Sequence, residues 1–224
     1  MRTKALLGLA ALAVGLSTSV AQNVYSLNVV GYVNVSLQAN KLSFLSLPLA
    51  DVNGNFDITN TIVLDDTQIG ANIYQWAGTQ WNANVPTWYG TAVGWAPDLV
   101  ISNGLGFFLA SAANSTLTIV GQVPQGTISY NIPAGLSTLA NQIPVSTNFP
   151  GMAVGNIGDN IFTWDLANQQ WSPAVWTYYG NSAGWDNGGV AGDNTAGPLL
   201  NPADAVFYVN GAAAIPFTQN FTVN

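Results

Sequence analysis

Any chemistry in this chain must come from aspartate, from hydroxyl and amide side chains, or from aromatic rings. Its 224 residues include ten Asp and no Glu, His or Cys. His-based triads, thiol nucleophiles and zinc sites built on His or Cys are therefore excluded. Asp pairs alone can make a glycosidase or an aspartic protease, but neither pattern is present. Asp66-Thr67-Gln68 lacks the Gly of an aspartic-protease turn, and no Gly-x-Ser-x-Gly elbow occurs. Adjacent Asp65 and Asp66 would point to opposite faces of a strand. No catalytic residue is assigned, and the chain is expected not to be an enzyme.

Oxygen ligands for a hard cation are better provided. Asp51, Asn53, Asn55 and Asp57 stand at every second position, the spacing of a calcium loop. Phe56 holds the sixth position, where such loops carry Gly, and Ile62 the twelfth, where they carry a bidentate acid. A second candidate is Asp186-Asn187-Gly188-Gly189 with Gly192-Asp193-Asn194. The competing reading is an Asx-rich turn, which these residues favour in any case. Calcium is the one cofactor the sequence brings into question.

The rings are organised most conspicuously. All eight Trp fall in two windows, at 76, 81, 88 and 95 and at 164, 171, 176 and 185. The windows read as copies: Ile73-Tyr74-Gln75-Trp76 against Ile161-Phe162-Thr163-Trp164, Trp81 against Trp171, and Gly94-Trp95 against Gly184-Trp185. The offset is 88 residues at the start and 90 at the end, which indicates an internal duplication. Trp and Tyr faces stack on pyranose rings, while interleaved Asn, Gln and Asp bond the hydroxyls. Beside the Gly-rich loops, Trp88, Tyr89 and Trp95 and Trp176, Tyr178, Tyr179 and Trp185 are the candidate sugar platform, with packing in the core an equal alternative. Trp76, Trp164, Trp81 and Trp171 are expected to be core instead, because duplicated positions preserve packing.

The elements that must position these rings read as strands. Apolar residues alternate with polar ones over 24–37, with a bend expected at Gly31. Apolar runs at 42–49, 106–109 and 117–123 follow, and strand-like pieces at 73–76 and at Trp81 are joined by Ala77-Gly78-Thr79. Gly and Pro punctuate the chain, and no long stretch has helical period and caps. The second unit repeats that order. Leu136-Ser137 answers Leu42-Ser43, Phe207 answers Phe107, and Thr218 answers Thr118 at an offset of 100. About ten extra residues are placed in the loop at 186–197. The fold class is thus all-β: two tandem β-sandwich-like repeats at 22–126 and 127–224, with little or no helix after the first 21 residues.

Those 21 residues have a basic start at Arg2 and Lys4, an apolar run at 5–16 and the small residues Ser19-Val20-Ala21, the form of a signal peptide. Without them Lys41 is the only basic side chain against ten Asp, a formal charge of −9. Such a chain cannot neutralise phosphates or anionic lipid heads, so nucleic-acid and membrane-surface binding are not expected. With no Cys to bridge, stability must come from the core.

Three segments carry a resemblance. Residues 42–49 (Leu-Ser-Phe-Leu-Ser-Leu-Pro-Leu), 104–109 (Gly-Leu-Gly-Phe-Phe-Leu) and 121–126 (Gly-Gln-Val-Pro-Gln-Gly) resemble a family of secreted bacterial tandem-repeat β proteins. That family follows a GFNLIANPL, W, GxGFFV, GEVxQG pattern. Lys41 replaces its usual Gly, Gln142 stands where Pro is expected, and Ala203-Asp204 where Gly-Glu is common. The resemblance spans nearly the whole chain after residue 21. It implies a bacterial, exported, tandem-β protein of Gram-negative type, and carries over no catalytic residue.

The expected role is an exported, non-catalytic structural or adhesion protein of the cell surface or extracellular matrix. The alternative is a secreted carbohydrate-binding protein, and a periplasmic destination stays open. Partners would be a polysaccharide, or further copies joined through the terminal strands at 24–37 and 217–223, whose interiors lack Lys and Pro.

Overall fold

Alternation over the opening strand places Val33, Val35 and Leu37 on one face and leaves Val30 and Tyr32 in solvent. The computed structural model describes residues 29–149, 155–188 and 197–223. The first 21 residues, residues 24–28 of the expected opening strand, and most of the expected loop at 186–197 lie outside them.

The first half contains β1 (Val30–Leu37), β2 (Leu42–Ser46), a one-turn helix α1 (Ile58–Thr61), β3 (Ile62–Val63) and β4 (Asn72–Gln75). It continues with β5 (Thr87–Trp88), β6 (Trp95–Ala96), β7 (Gly106–Ala110) and β8 (Ser115–Gln122). The second half holds β9 (Gly126–Ile132), β10 (Gly135–Ala140), β11 (Thr147–Asn148), β12 (Asn160–Phe162), β13 (Trp164–Asp165) and β14 (Gln170–Trp171). Then come β15 (Trp176–Tyr178), β16 (Trp185–Asp186), β17 (Leu199–Leu200), β18 (Ala205–Asn210) and β19 (Ile215–Phe221). The chain is all-β, with α1 and a 3₁₀ turn at Asp66–Gln68 as its helical pieces among the described residues.

In the first half a three-stranded sheet β1-β8-β3 faces a five-stranded sheet β2-β7-β4-β5-β6. Between them lies a core of Leu45, Ile73, Phe107, Leu109, Leu117 and Ile119, each 4% exposed or less. The β1–β8 ladder runs unbroken through Gly31, which pairs with Gly121. In the second half a five-stranded sheet β10-β18-β12-β15-β16 runs in the same order and faces the pair β9–β19. Its core holds Leu139, Ile161, Val206, Tyr208 and Phe217. Both terminal strands thus find partners within the chain, β1 with β8 and β19 with β9, all antiparallel.

A strand's period of two leaves the opposite face of each five-stranded sheet also apolar. In β7, Phe107 and Leu109 enter the first core, while Phe108 points the other way with Phe44. In β18, Val206 and Tyr208 enter the second core, while Phe207 points the other way. Phe207 therefore matches Phe108, not the Phe107 that the sequence offset suggested. Phe44, Phe108 and Phe207 pack together with Ala140 and Ala205, and this third cluster joins the halves. Approach is close enough that a Cβ on Gly106 would lie 2.5 Å from the Ala205 methyl. The bonds across are reciprocal: Ser46 N–H donates to Ala203 O and Ala140 N–H to Gly104 O, both at 2.9 Å.

Candidate aromatic binding surface

Most of the candidate platform rings are core. Trp88 and Trp95 are cross-strand partners buried in the first core; their indole N–H groups donate to Asp65 O and Ile62 O at 3.0 Å. Tyr178 and Trp185 pair in the same way in the second core, and half-buried Trp176 packs against them. These positions were read as loop-adjacent because each pair brackets a Gly-rich turn. That turn is a tight hairpin, in which Tyr89 N–H donates to Gly94 O and Tyr179 N–H to Gly184 O. Alternation sends Trp88 and Tyr178 inward and leaves Tyr89 and Tyr179 exposed. Of the seven candidate platform rings, those two tyrosines reach solvent freely, on separate loops.

Of the four rings expected to be core, Trp76 and Trp164 are half-buried against the third cluster, while Trp81 and Trp171 face outward. Trp81 is 44% exposed and Trp171 38%. Each sits on a short hairpin arm that leaves its five-stranded sheet: Trp76 bridges Trp81 in the first arm, and Trp164 pairs with Trp171 in the second. Within each arm the two indoles meet edge to face, at 5.3 Å and 5.0 Å between centroids. The arms then lie over the phenylalanines of the junction. Trp81 is 5.9 Å from Phe108 and 6.3 Å from Phe207, while Trp171 is 6.0 Å from Phe108 and 5.2 Å from Phe207. The result is a four-ring patch built from both halves of the chain.

Two open grooves flank this patch. One, of about 470 Å³, is bordered by Trp76, Leu136, Phe162 and Val209. The other, of about 410 Å³, is bordered by Trp164, Leu42, Tyr74 and Ala110. Trp81 and Trp171 line both grooves. Trp76, Leu136 and Phe162 on one border answer Trp164, Leu42 and Tyr74 on the other in the sequence match of the two halves. Neither groove is lined by a carboxylate or a cation.

Bonds between the halves hold the arms in place. Trp76 Nε1 donates to Leu136 O at 3.2 Å, and Trp164 Nε1 to Leu42 O at 2.9 Å. The second arm has a further clamp: Gln169 Oε1 accepts from Leu42 N–H at 2.7 Å, and Gln169 Nε2 donates to Leu42 O at 3.2 Å. Lys41 Nζ donates to Ala167 O at 3.2 Å, which engages the one Lys or Arg side chain after residue 4. Sequence reasoning missed this cross-bracing. The available signal was the polar tip of each arm, four residues in one and six in the other, too short to bury two Trp in its own unit.

The candidate calcium loop is folded around its own backbone. Asp51 is buried, and its Oδ1 accepts from Asn53 N–H and Asn55 N–H at 2.8 Å each. The N–H of Asn55, then that of Asn53, hold its carboxyl below the ordinary aspartate range. Asp57 caps α1, accepting from Thr59 N–H at 2.7 Å and from Asn60 Nδ2 at 3.0 Å. Asn53 and Asn55 thus supply backbone donors to this turn, which is the Asx-rich alternative. In the second candidate, Asp186 accepts from Gly188 N–H at 2.8 Å, and Gly192, Asp193 and Asn194 lie outside the described residues. Among the described residues no three or more Asp, Glu, His or Cys gather as a metal site would need.

The most deeply buried carboxyl, Asp159, is likewise structural. It accepts from Tyr208 Oη at 2.6 Å, Asn156 N–H at 2.7 Å and Gly211 N–H at 2.9 Å. Burial, reinforced by Asp159, pushes the Tyr208 phenol well above its ordinary range. No described helix is long and apolar enough to cross a membrane. No family model, curated protein or solved structure matches this chain.

Proposed function

We propose that the chain is an exported, non-catalytic adhesion protein whose contact surface is the aromatic patch at the junction of its two halves. The observation that carries this reading is the exposure of Trp81 and Trp171 over a patch with an open groove on either side. Large rings cost solubility when left in water, and a contiguous apolar patch marks a site of contact. The absence of Glu, His and Cys supports a non-catalytic reading, and the signal-like first 21 residues support export. Deletion of the platform rings tests the reading. The mature chain and a Trp81→Ala/Trp171→Ala variant are compared for retention on polysaccharide-coated, protein-coated and phenyl-bearing beads. Wild type is expected to be retained on at least one surface, and the variant to be lost from it while keeping its thermal melt. Retention that survives the double substitution rejects the patch as the contact surface.

A further inference from the structure

We infer that the occupant of the two grooves is a neutral glycan chain, its pyranose rings lying against Trp81 and Trp171. The inference rests on the adhesion reading of the same patch and names its ligand.

Charge narrows the class first. After the leader the chain carries −9, and its single Lys41 is engaged with Ala167 O. An acidic polysaccharide, a phosphate or an anionic surface would be repelled and would find no cation to pair with. A cation could meet the indoles by cation–π contact, but neither groove is lined by a carboxylate that would complete its pairing. The lining thus favours an uncharged ligand. Ring geometry narrows it further. Trp81 and Trp171 are large flat surfaces open to water, the shape that packs against the C–H faces of sugar rings. Both rings line both grooves, so an extended chain crossing the patch meets aromatic surface on each side of the ridge. The uncharged amides next to these rings in sequence, Gln80, Asn82 and Gln170, do not line either groove, so stacking on the rings carries the contact.

The test is native affinity electrophoresis of the mature chain in gels containing hydroxyethyl cellulose, laminarin, galactomannan or dextran, with alginate and pectate as acidic controls. At least one neutral glycan is expected to retard the protein, equally at low and high salt, and neither acidic one to do so. Trp81→Ala and Trp171→Ala should each weaken the retardation by roughly tenfold or more, with Trp171→Tyr recovering part of it. Tyr89→Ala, outside the patch, should leave it unchanged and so controls for general loss of folding. Salt-sensitive binding to the acidic glycans alone overturns the inference. So does neutral-glycan retardation that both Trp→Ala variants retain. Absence of retardation by any glycan, with Trp-dependent capture on phenyl beads, overturns the glycan and leaves the adhesion reading standing. Absence of both removes the two together.

Discussion

The two Trp arms start from equivalent places in their sheets and end differently attached. The first spans Trp76 to Trp81 with a turn closed by Ala77 N–H to Gln80 O at 2.8 Å, and Trp76 Nε1 is its hydrogen bond across the junction. The second spans Trp164 to Trp171, two residues longer. There Asp165 accepts from Asn168 N–H at 3.0 Å and Asn168 Nδ2 at 2.7 Å, and Gln169 follows at φ 55°. That left-handed backbone, uncommon for Gln, turns its amide onto both backbone groups of Leu42. The same pair of rings is thus loosely docked in one half and clamped in the other. Two added residues suffice, because a short loop changes length at small entropic cost while gaining a bidentate contact.

Both arms touch Phe108 and Phe207, and removing Phe207 should have the largest effect. Phe207 meets Trp76, Trp81, Trp171 and Phe44. Phe207→Ala is expected to cost about 3–5 kcal/mol in a denaturant titration and to free both arms together. If one arm kept its protection in hydrogen exchange, the two would be independent of the shared floor. Next comes Gln169→Ala, which leaves Leu42 N–H without its acceptor and should cost about 1–2 kcal/mol. Its effect on exchange should be confined to the second arm. Trp76→Phe should cost less, about 0.5–1.5 kcal/mol, since a single 3.2 Å bond is lost. A cost above that of Gln169→Ala would reverse the ranking of the arms.

The smallest effect is one of pH. The side-chain and backbone N–H groups of Asn168 hold the Asp165 carboxyl below the ordinary aspartate range. A carboxyl with a lower pKa folded than unfolded stabilises the fold at any pH above its unfolded value. It loses that contribution as pH falls through the folded value. The tip of the second arm should therefore loosen in acid, whereas the first arm, with no carboxylate between residues 76 and 81, should not. Exchange at Asn168 compared with Ala77 between about pH 5 and pH 2 reads the difference, and Asp165→Asn should abolish it.

Alternation and punctuation made the strands legible, because burial on one face writes itself as period two. The junction was not legible, and β7 shows why. Phe107 and Phe108 are adjacent apolar residues, one for each face, and nothing local says that the second face meets another sheet. Trp81 and Trp171 were assigned to the core for the same reason: a matched ring in each copy reads as packing, whether the copies pack internally or against each other. Trp88 and Trp95 misled in the opposite direction, since glycines at 90 and 94 suggested an open loop where a tight hairpin points both indoles inward. The second half also departs from the first at Gln142, the position where Pro was expected. There Gln219 Oε1 accepts from Gln142 N–H and Gln219 Nε2 donates to Asn141 Oδ1, a polar seam where the first half buries Leu47 and Ile119.

How each half closes has a bearing on time rather than on contact. Val30 pairs with Gln122, and Gly126 with Phe221. The first strand of each unit waits for the last one, so neither sandwich can seal until nearly all of its chain is present. Folding dominated by such distant pairings is slow, on the scale of about milliseconds to seconds. For a chain exported as proposed, that delay would be an advantage, because it would remain extensible in a translocation pore and lock only after its last strand had emerged.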